Sequence, residues 1–292
     1  MEINKLKLYV KLAETCHFNR ASELCHVSPS TLSRNIQHLE EELGTQLFER
    51  NNRSVVLTPQ GHQFLPQARS LIQQWETMRD SIQANNKTLS GSISLYCSVT
   101  ASYSFLYDIL AQFRQQQPGI EIKLHTGDPA IAIGRVAGGE EDIAIAARPD
   151  KLPSNIVFKS FSISPLVFIA PVNDAFAKRE DTSDKTTFNS VPMIISEHGL
   201  ARERLNAWFR KKNISPNIYA QVSGNEAIVS MVSLGFGVGL VPKIVVDNSP
   251  LKDKVKLFDE QPDLKAFDVG VCVLEKRLKS PIIEAFWSQF QN

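Results

Sequence analysis

The chain has 292 residues, 42% hydrophobic and 22% charged, with a formal net charge of +1. That length implies two or three domains, and the ordinary composition argues against a disordered chain or one that needs disulfide or metal staples. Residues 1–90 hold ten Lys/Arg and nine Asp/Glu, so any basic surface has to come from arrangement and not from excess charge.

The four cysteines, Cys16, Cys25, Cys97 and Cys272, are widely spaced, with no CxxC and no Cys/His cluster at zinc spacing. No metal and no cofactor is expected. The start, MEINKLKLYVKLAE, has no unbroken apolar core of a signal peptide, and the longest apolar runs, such as 236–241, are too short to span a membrane. A reduced cytoplasmic location without a membrane partner follows as the expectation.

Leu6, Tyr9, Val10 and Ala13 recur at helical spacing and mark a first helix. Asn19 is placed to cap a second, with Ala21, Leu24 and Cys25 inward. After a turn at His26-Val27, Ser28 followed by Pro29 starts a third: a hydroxyl cap, then a ring with φ already set. Leu32, Ile36, Leu39 and Leu43 fall on one face, and Gly44 ends the helix.

The opposite face of the third helix carries Ser30, Thr31, Ser33, Arg34, Gln37 and His38. Hydroxyls at a helix start suit phosphate oxygens, whereas Arg34 can reach guanine and Gln37 adenine. Such a face alone would read as solvated surface. Two helices joined by a tight turn and followed by a wing reverse that reading to a winged helix-turn-helix, built to enter the major groove of double-stranded DNA. The wing is 47–50, a turn at Asn51-Asn52, then 53–57. Arg50 and Arg53 flank its tip as phosphate clamps, each steepening the log–log salt dependence by about 0.9.

Thr58-Pro59 repeats the cap-plus-proline start. Phe64, Ala68, Leu71, Trp75, Met78 and Ile82 then alternate at spacings of four and three, a heptad seam that predicts a homodimer through this helix. Pro66 inside the pattern should kink it or delay its regular part. A two-fold dimer places two reading helices on two half-sites, so an inverted-repeat operator follows. Residues 85–91, NNKTLSG, break the pattern and form a hinge.

From residue 92 strands alternate with helices: strand 92–98, helix 103–117, strand 120–125, helix 129–138, strand 142–146, then strands 165–170 and 192–196, helix 200–212, strand 218–221, helix 225–234, strand 238–241, strand 268–273 and helix 281–290. The order βαβαβ argues for a parallel sheet with helices on both faces. Ligands of open α/β sheets bind beyond the carboxyl ends of the strands. Those ends carry Ser98, Thr100, Ala101, Thr126, Gly127, Asp128, Ala147, Arg148, Ser196, Glu197, His198 and Gly224. Hydroxyls and free N–H groups there favour a small carboxylate with hydroxyl or keto groups. The hydroxyls could equally cap helices, Arg148 could be the counter-charge or an ion-pair partner, and His198 could be a solvated loop residue.

Gly235, Gly237 and Gly239 resemble part of a dinucleotide fingerprint, but they follow a helix and precede a strand, the reverse of the order a pyrophosphate needs. They are read as a helix cap plus a tight turn. No HExxH, P-loop or nucleophile–base pattern points to an enzyme.

The N-terminal block, from Phe18, Ala21, Leu24, Val27 and Ser28 through Leu32, Ser33, Ile36, Leu39, Glu40, Leu43 and Gly44 to Leu47, Phe48, Arg50, Arg53, Leu57, Thr58 and Gly61, resembles the LysR family of bacterial transcription regulators. Many members carry Gln where Pro29 stands, so base reading at that position is apolar or lost and falls to Ser30, Ser33, Arg34 and Gln37.

The resemblance implies an α/β chain in three parts: a winged helix-turn-helix over 1–57, a linker helix and hinge over 58–91, and a two-lobed effector domain like small periplasmic binding proteins over 92–292. Lobe one takes 92–162 and 268–292, lobe two 163–267. The resemblance further implies Ser98, Thr100 and Thr126 as the lining of an effector cleft, pairing of dimers into a tetramer, and contact with RNA polymerase. The stretches CSVTASY, IEIKLHTGD, AWFRKKNIS, EAIVSMVSLGFGVGLVP and IIEAFW resemble the branch that activates branched-chain amino-acid synthesis, with acetolactate or acetohydroxybutyrate as inducer. Two alternatives stay open: a regulator of another small-acid pathway, or a redox sensor pairing Cys97 with Cys272.

Overall fold

The computed structural model describes residues 2–50, 55–83, 89–173, 187–259 and 261–290. The chain divides into two compact units, one built on residues 1–89 and one on the remainder from residue 90.

The first unit begins with α1 (Ile3–Thr15), which buries Leu6, Leu8, Tyr9, Leu12 and Ala13. The second helix, α2 (Phe18–Leu24), is capped two residues earlier than expected: His17 Nδ1 accepts the Arg20 N–H at 3.3 Å, and Asn19 lies inside the helix. Its C-terminal Leu24, expected inside, is exposed, because α2 is too short for a third inward position.

In α3 (Pro29–Leu43) the Ser28 hydroxyl accepts the Thr31 N–H at 3.2 Å, Pro29 opens the helix and Gly44 closes it in the left-handed region. Leu32, Ile36 and Leu39 are fully buried, whereas Leu43, expected on that face, is exposed in the last turn. The wing strands β1 (Phe48–Arg50) and β2 (Val55–Leu57) pair antiparallel, Phe48 against Leu57. Glu40 Oε1 accepts the N–H groups of Leu47 and Phe48 at 2.8 and 3.1 Å, which fixes how the wing leaves α3.

Thr58 caps α4 (Pro59–Gln83), a 25-residue helix about 37 Å long that continues through Pro66. Continuity is possible because proline removes one helical bond, that to the carbonyl of residue 62, without forcing the chain to turn. The first half of α4 belongs to the core of this unit. Tyr9 lies 5.2 Å from the Phe64 ring and donates its hydroxyl to the Gly61 carbonyl at 2.6 Å, and Ala68 is fully buried. The expected division at residue 57 therefore falls inside one packed unit.

The second unit holds two five-stranded sheets. The elements run β3 (Gly91–Cys97), α5 (Val99–Ser104), α6 (Leu106–Gln116), β4 (Ile120–Thr126), α7 (Ala132–Ala137), β5 (Ile143–Ala147), β6 (Ile156–Ser164), β7 (Leu166–Pro171), α8 (Thr187–Ser190), β8 (Met193–Ser196), α9 (Leu200–Lys212), β9 (Ile218–Val222), α10 (Asn225–Ser233), β10 (Val238–Pro242), α11 (Lys243–Asp247), β11 (Val255–Leu257), β12 (Phe267–Leu274) and α12 (Pro281–Trp287). The first sheet has the order β4-β3-β5-β12-β6 and the second β11-β7-β10-β8-β9.

Each sheet is mixed, not purely parallel as expected. β4, β3 and β5 run parallel, but β12 is antiparallel to β5 and β6. In the second sheet β7 is antiparallel to β10 and β11. The cause is the double crossover. The chain leaves the first sheet at Pro165 and returns between β11 and β12, so the returning strand enters from the opposite end. These crossovers put one sheet in each of two lobes.

The single helix expected over 103–117 is two, broken at Phe105, and the helix expected over 129–138 is a 3-10 turn (Pro129–Ile131) followed by α7. The glycine-rich turn after α10 behaves as read. Gly237 has φ +148°, and a Cβ there would meet the Pro192 carbonyl oxygen at 2.1 Å. Its glycines serve chain packing.

Candidate functional site

Two surfaces carry the expected chemistry, one in each unit. On α3, Ser28, Pro29, Ser30, Thr31, Arg34, Gln37 and His38 are exposed, and Ser33 is half-buried. The burial of Leu32, Ile36 and Leu39 on α3 forces this outcome, since residues three and four apart share a face. The hydroxyls form a connected group at the helix start: Ser28 Oγ lies 3.0 Å from Ser30 Oγ and 2.8 Å from Thr31 Oγ1. Further along, Gln37 donates to Glu41 at 3.0 Å, and His38 Nδ1 lies 3.4 Å from the same carboxylate. Glu41 therefore holds two base-reading candidates, which would have to exchange partners on contact with a base edge. Arg50 ends β1, paired with Val55. Arg53 and the Asn51-Asn52 turn lie outside the described residues.

The expected seam on α4 is shorter than its sequence pattern. Ala68 is fully buried in the core of the first unit, and Phe64, partly buried, packs against that core. The exposed stripe is Leu71, Trp75, Met78 and Ile82, from 37% exposed at Leu71 to 69% at Ile82.

In the second unit two cavities at the cleft between the lobes bear on the expected site. One, about 270 Å³, is lined among others by Asp128, Lys151, Glu197, His198, Glu203 and Gly224. The Asp128 carboxylate spans the cleft: Oδ2 lies 2.7 Å from His198 Nε2 and accepts the Ser223 hydroxyl at 3.1 Å, while Oδ1 caps the 3-10 turn through Ala130 N–H at 2.9 Å. Three carboxylates against one lysine and one histidine make this cavity a poor match for an anion.

The smaller cavity, about 50 Å³, is lined by Ser98, Thr100, Ala101, Asn225 and apolar side chains including Ile145 and Phe267. Ser98 Oγ accepts the Ala101 N–H at 3.1 Å, which leaves its own proton free to donate. Hydroxyl donors in an otherwise apolar enclosure suit a small carboxylate with an aliphatic body.

Two expected cleft residues are elsewhere. Thr126 is exposed at the end of β4 and lines neither cavity; the chain turns at Gly127, and Asp128, two residues on, enters the cleft. Arg148 turns toward its own lobe, with its N–H donating to the Asp268 carbonyl at 2.7 Å, its guanidinium 3.9 Å from the Asp268 carboxylate and over the Phe158 ring. The sequence reading also passed over Glu226, in the first turn of α10, whose side chain reaches Thr100.

The paired-cysteine alternative fails on geometry. Cys97 packs with Ile145 and Val269 on one face of the first sheet, Cys272 with Tyr96 and Ala144 on the other. Strand β5 lies between them, so their backbones are about 10 Å apart. A disulfide needs Cα atoms within about 7 Å. Both thiols are free and buried, and burial pushes them up to about 11 and about 12, far from the thiolate a sensor needs.

Among the described residues no cluster of His, Cys, Asp or Glu is placed to hold a metal ion, and no helix is long and apolar enough to cross a membrane.

Residues 3–62 match the family model of bacterial regulatory helix-turn-helix proteins of the LysR family, and residues 86–292 match the LysR substrate binding domain. The HTH-type transcriptional activator IlvY of Salmonella typhimurium is 43% identical over 295 aligned residues, spanning the whole of both chains. Among solved structures, a full-length single-residue variant of OxyR from Pseudomonas aeruginosa superposes with a TM-score of 0.70 at 24% identity, covering 99% of this chain and 94% of that one. Full-length CbnR complexed with its target DNA superposes with a TM-score of 0.64 at 20% identity, covering 99% of each. Both share the fold from the first helix to the last strand. A reading helix with a wing, joined to a two-lobed effector domain, in a chain matched by both family models, thus belongs to the LysR family of DNA-binding transcription regulators.

Proposed function

We propose that this protein is an IlvY-type activator that controls branched-chain amino-acid synthesis in the cytoplasm and responds to a small hydroxy-keto acid such as acetolactate or acetohydroxybutyrate. The observation that carries the pathway is the 43% identity, end to end, with proteins named as IlvY activators. The observation that supports the effector class is the small cavity whose polar lining is mainly the Ser98 and Thr100 hydroxyls and whose remaining wall is mostly apolar.

In this reading Ser28 and Thr31 hold phosphates, Ser30, Ser33, Arg34 and Gln37 read bases, and His38, Arg50 and Arg53 support them. Pro29 contributes apolar contact at most. The exposed stripe of α4 pairs two copies on an inverted-repeat operator, the dimers associate as a tetramer, and the bound assembly engages RNA polymerase. Ser98, Thr100 and Ala101 contact the acid, with His198 and Gly224 at the rim of the cleft.

The test is a panel of small keto and hydroxy acids added to the purified protein. An acid at a hundred times its dissociation constant stabilises the protein by about 2.7 kcal/mol, a shift readily seen in thermal unfolding. Acetolactate is expected to stabilise it and to change the footprint on the operator, and Thr100→Val to weaken both effects. An unchanged half-maximal acetolactate concentration in that variant would remove the effector from this cavity.

A further inference from the structure

Thr100 is 2% exposed, and both of its donors are spent on one atom of the protein itself. Its N–H reaches Glu226 Oε1 at 2.8 Å, and its hydroxyl donates to the same oxygen. Thr100 belongs to the first lobe, on α5; Glu226 belongs to the second, in the first turn of α10. A carboxylate of the protein therefore crosses the cleft and sits on the donors that a carboxylate ligand would use.

Its surroundings allow it to leave. On one side of Glu226 lies the small cavity of Ser98, Thr100, Ala101 and Asn225. On the other lies an open groove of about 450 Å³ lined by Val99, Tyr103, Val245, Asn248 and Leu251, with Glu226 on its wall. A two-bond rotation of the side chain toward that groove would carry the carboxylate from Thr100 to water. A buried hydroxyl and N–H left empty would be costly, because unsatisfied buried donors lose their hydration without return. An incoming carboxylate removes that cost, since it replaces one charge-assisted pair of bonds by another of the same kind.

We infer that Glu226 is a resident carboxylate that the effector's own carboxylate must displace from Thr100, so that effector entry and release of this lobe-to-lobe contact are one event. The inference rests on the effector reading given above. It has two consequences. An anion replaces the two charge-assisted bonds in kind, whereas a neutral carbonyl oxygen gives weaker ones, so the contact favours acids over their neutral esters or amides. A ligand moves a two-state equilibrium only through unequal affinity for the two states, and here the inequality is built in: in the latched state neither Thr100 donor is open to the acid, in the released state both are. The observed affinity is the intrinsic one reduced by the fraction of molecules with Glu226 released.

The experiment titrates the full-length protein with acetolactate and, separately, with its methyl ester, in the wild type and in Glu226→Ala and Glu226→Gln. Release of the latch is expected to tighten acetolactate binding at least tenfold in Glu226→Ala. Glu226→Gln, which keeps the shape and one acceptor without the charge, should fall between that variant and the wild type. The ester should bind poorly to all three. A merely structural contact would weaken binding or leave it alone, so dissociation constants unchanged within twofold, or weaker, in both folded variants would overturn the inference while leaving the effector reading intact. Binding by Glu226→Ala alone, with none by the wild type, would support it as a latch too strong to open unaided. If none of the three binds acetolactate or any acid of the panel, the effector reading fails and this inference falls with it.

Discussion

Arg34 stands at the middle of the exposed face of α3, where its reach and its five donors exceed those of its neighbours. Arg34→Ala is expected to cost about 1–3 kcal/mol of operator binding and to relax preference at one base pair. Fluorescence anisotropy on a set of single-base operator variants measures this; equal losses on every sequence would make Arg34 a phosphate contact. Glu40 acts behind that face. Its carboxylate accepts two N–H groups from residues that are themselves buried, so Glu40→Ala should lower stability by about 1–3 kcal/mol in thermal unfolding. An unchanged melting temperature would mean that water replaces the carboxylate there. Glu40 was visible in the sequence as one residue of a family pattern, but its role was not, because bonding to positions seven and eight residues ahead depends on where the wing strand returns.

At the scale of the element, α4 is buried along its first half and exposed along its second. Its first half is core of the DNA-binding unit, and its second half presents Leu71, Trp75, Met78 and Ile82. The heptad pattern could not tell these halves apart, since a helix buried against its own domain and one left free for a partner show the same apolar spacing. Substitutions should separate them. Trp75→Glu or Met78→Glu is expected to shift sedimentation toward the monomer while leaving circular dichroism unchanged. Ala68→Leu should instead destabilise the unit by about 1–3 kcal/mol through overpacking, with the oligomer intact. Gly61 explains why the helix can start where it does: a Cβ there would meet the Leu47 carbonyl oxygen at 2.2 Å. A dimer that persists in both glutamate variants would place the seam elsewhere.

For the whole molecule, the cysteines separate surface from core. Cys16 is exposed, Cys25 is half-buried, and Cys97 and Cys272 are buried. Alkylation of the native protein at neutral pH should label Cys16 first and leave Cys97 and Cys272 untouched until unfolding, as mass spectrometry of labelled peptides would report. Mild peroxide should give no bridge between that pair; a bridge found in the folded protein would revive the redox alternative. The same two thiols make stability depend on pH. Burial raises both above the ordinary thiol value of 9.0, so the protonated form is favoured in the fold. Their contribution is fully present below pH 9 and is lost as pH rises through 11 to 12, because the unfolded chain ionises first. Melting temperature should fall across that window, and replacing both cysteines by alanine should flatten the fall.

Local chemistry was enough for much of this protein. Ser28-Pro29 and Thr58-Pro59 start helices because a hydroxyl cap and a preset φ act within four residues, and the reading face of α3 follows from the buried positions opposite it. The strand–helix alternation from residue 92 likewise announced an α/β unit, and the family resemblance its division into lobes. What depended on the tertiary structure was every pairing between distant segments. Strands β6 and β11 were missed, being sheet-edge strands that hydrophobic runs did not mark. β12 runs antiparallel because the chain re-enters from the other lobe. Arg148 faces Asp268, Cys97 and Cys272 lie on opposite faces of one sheet, and Glu226 meets Thr100 across 126 positions of sequence. An acidic residue in a helix's first turn reads as a complement to the helix dipole wherever it occurs. Only the closing of the two lobes, which no periodicity encodes, decides whose donors it occupies.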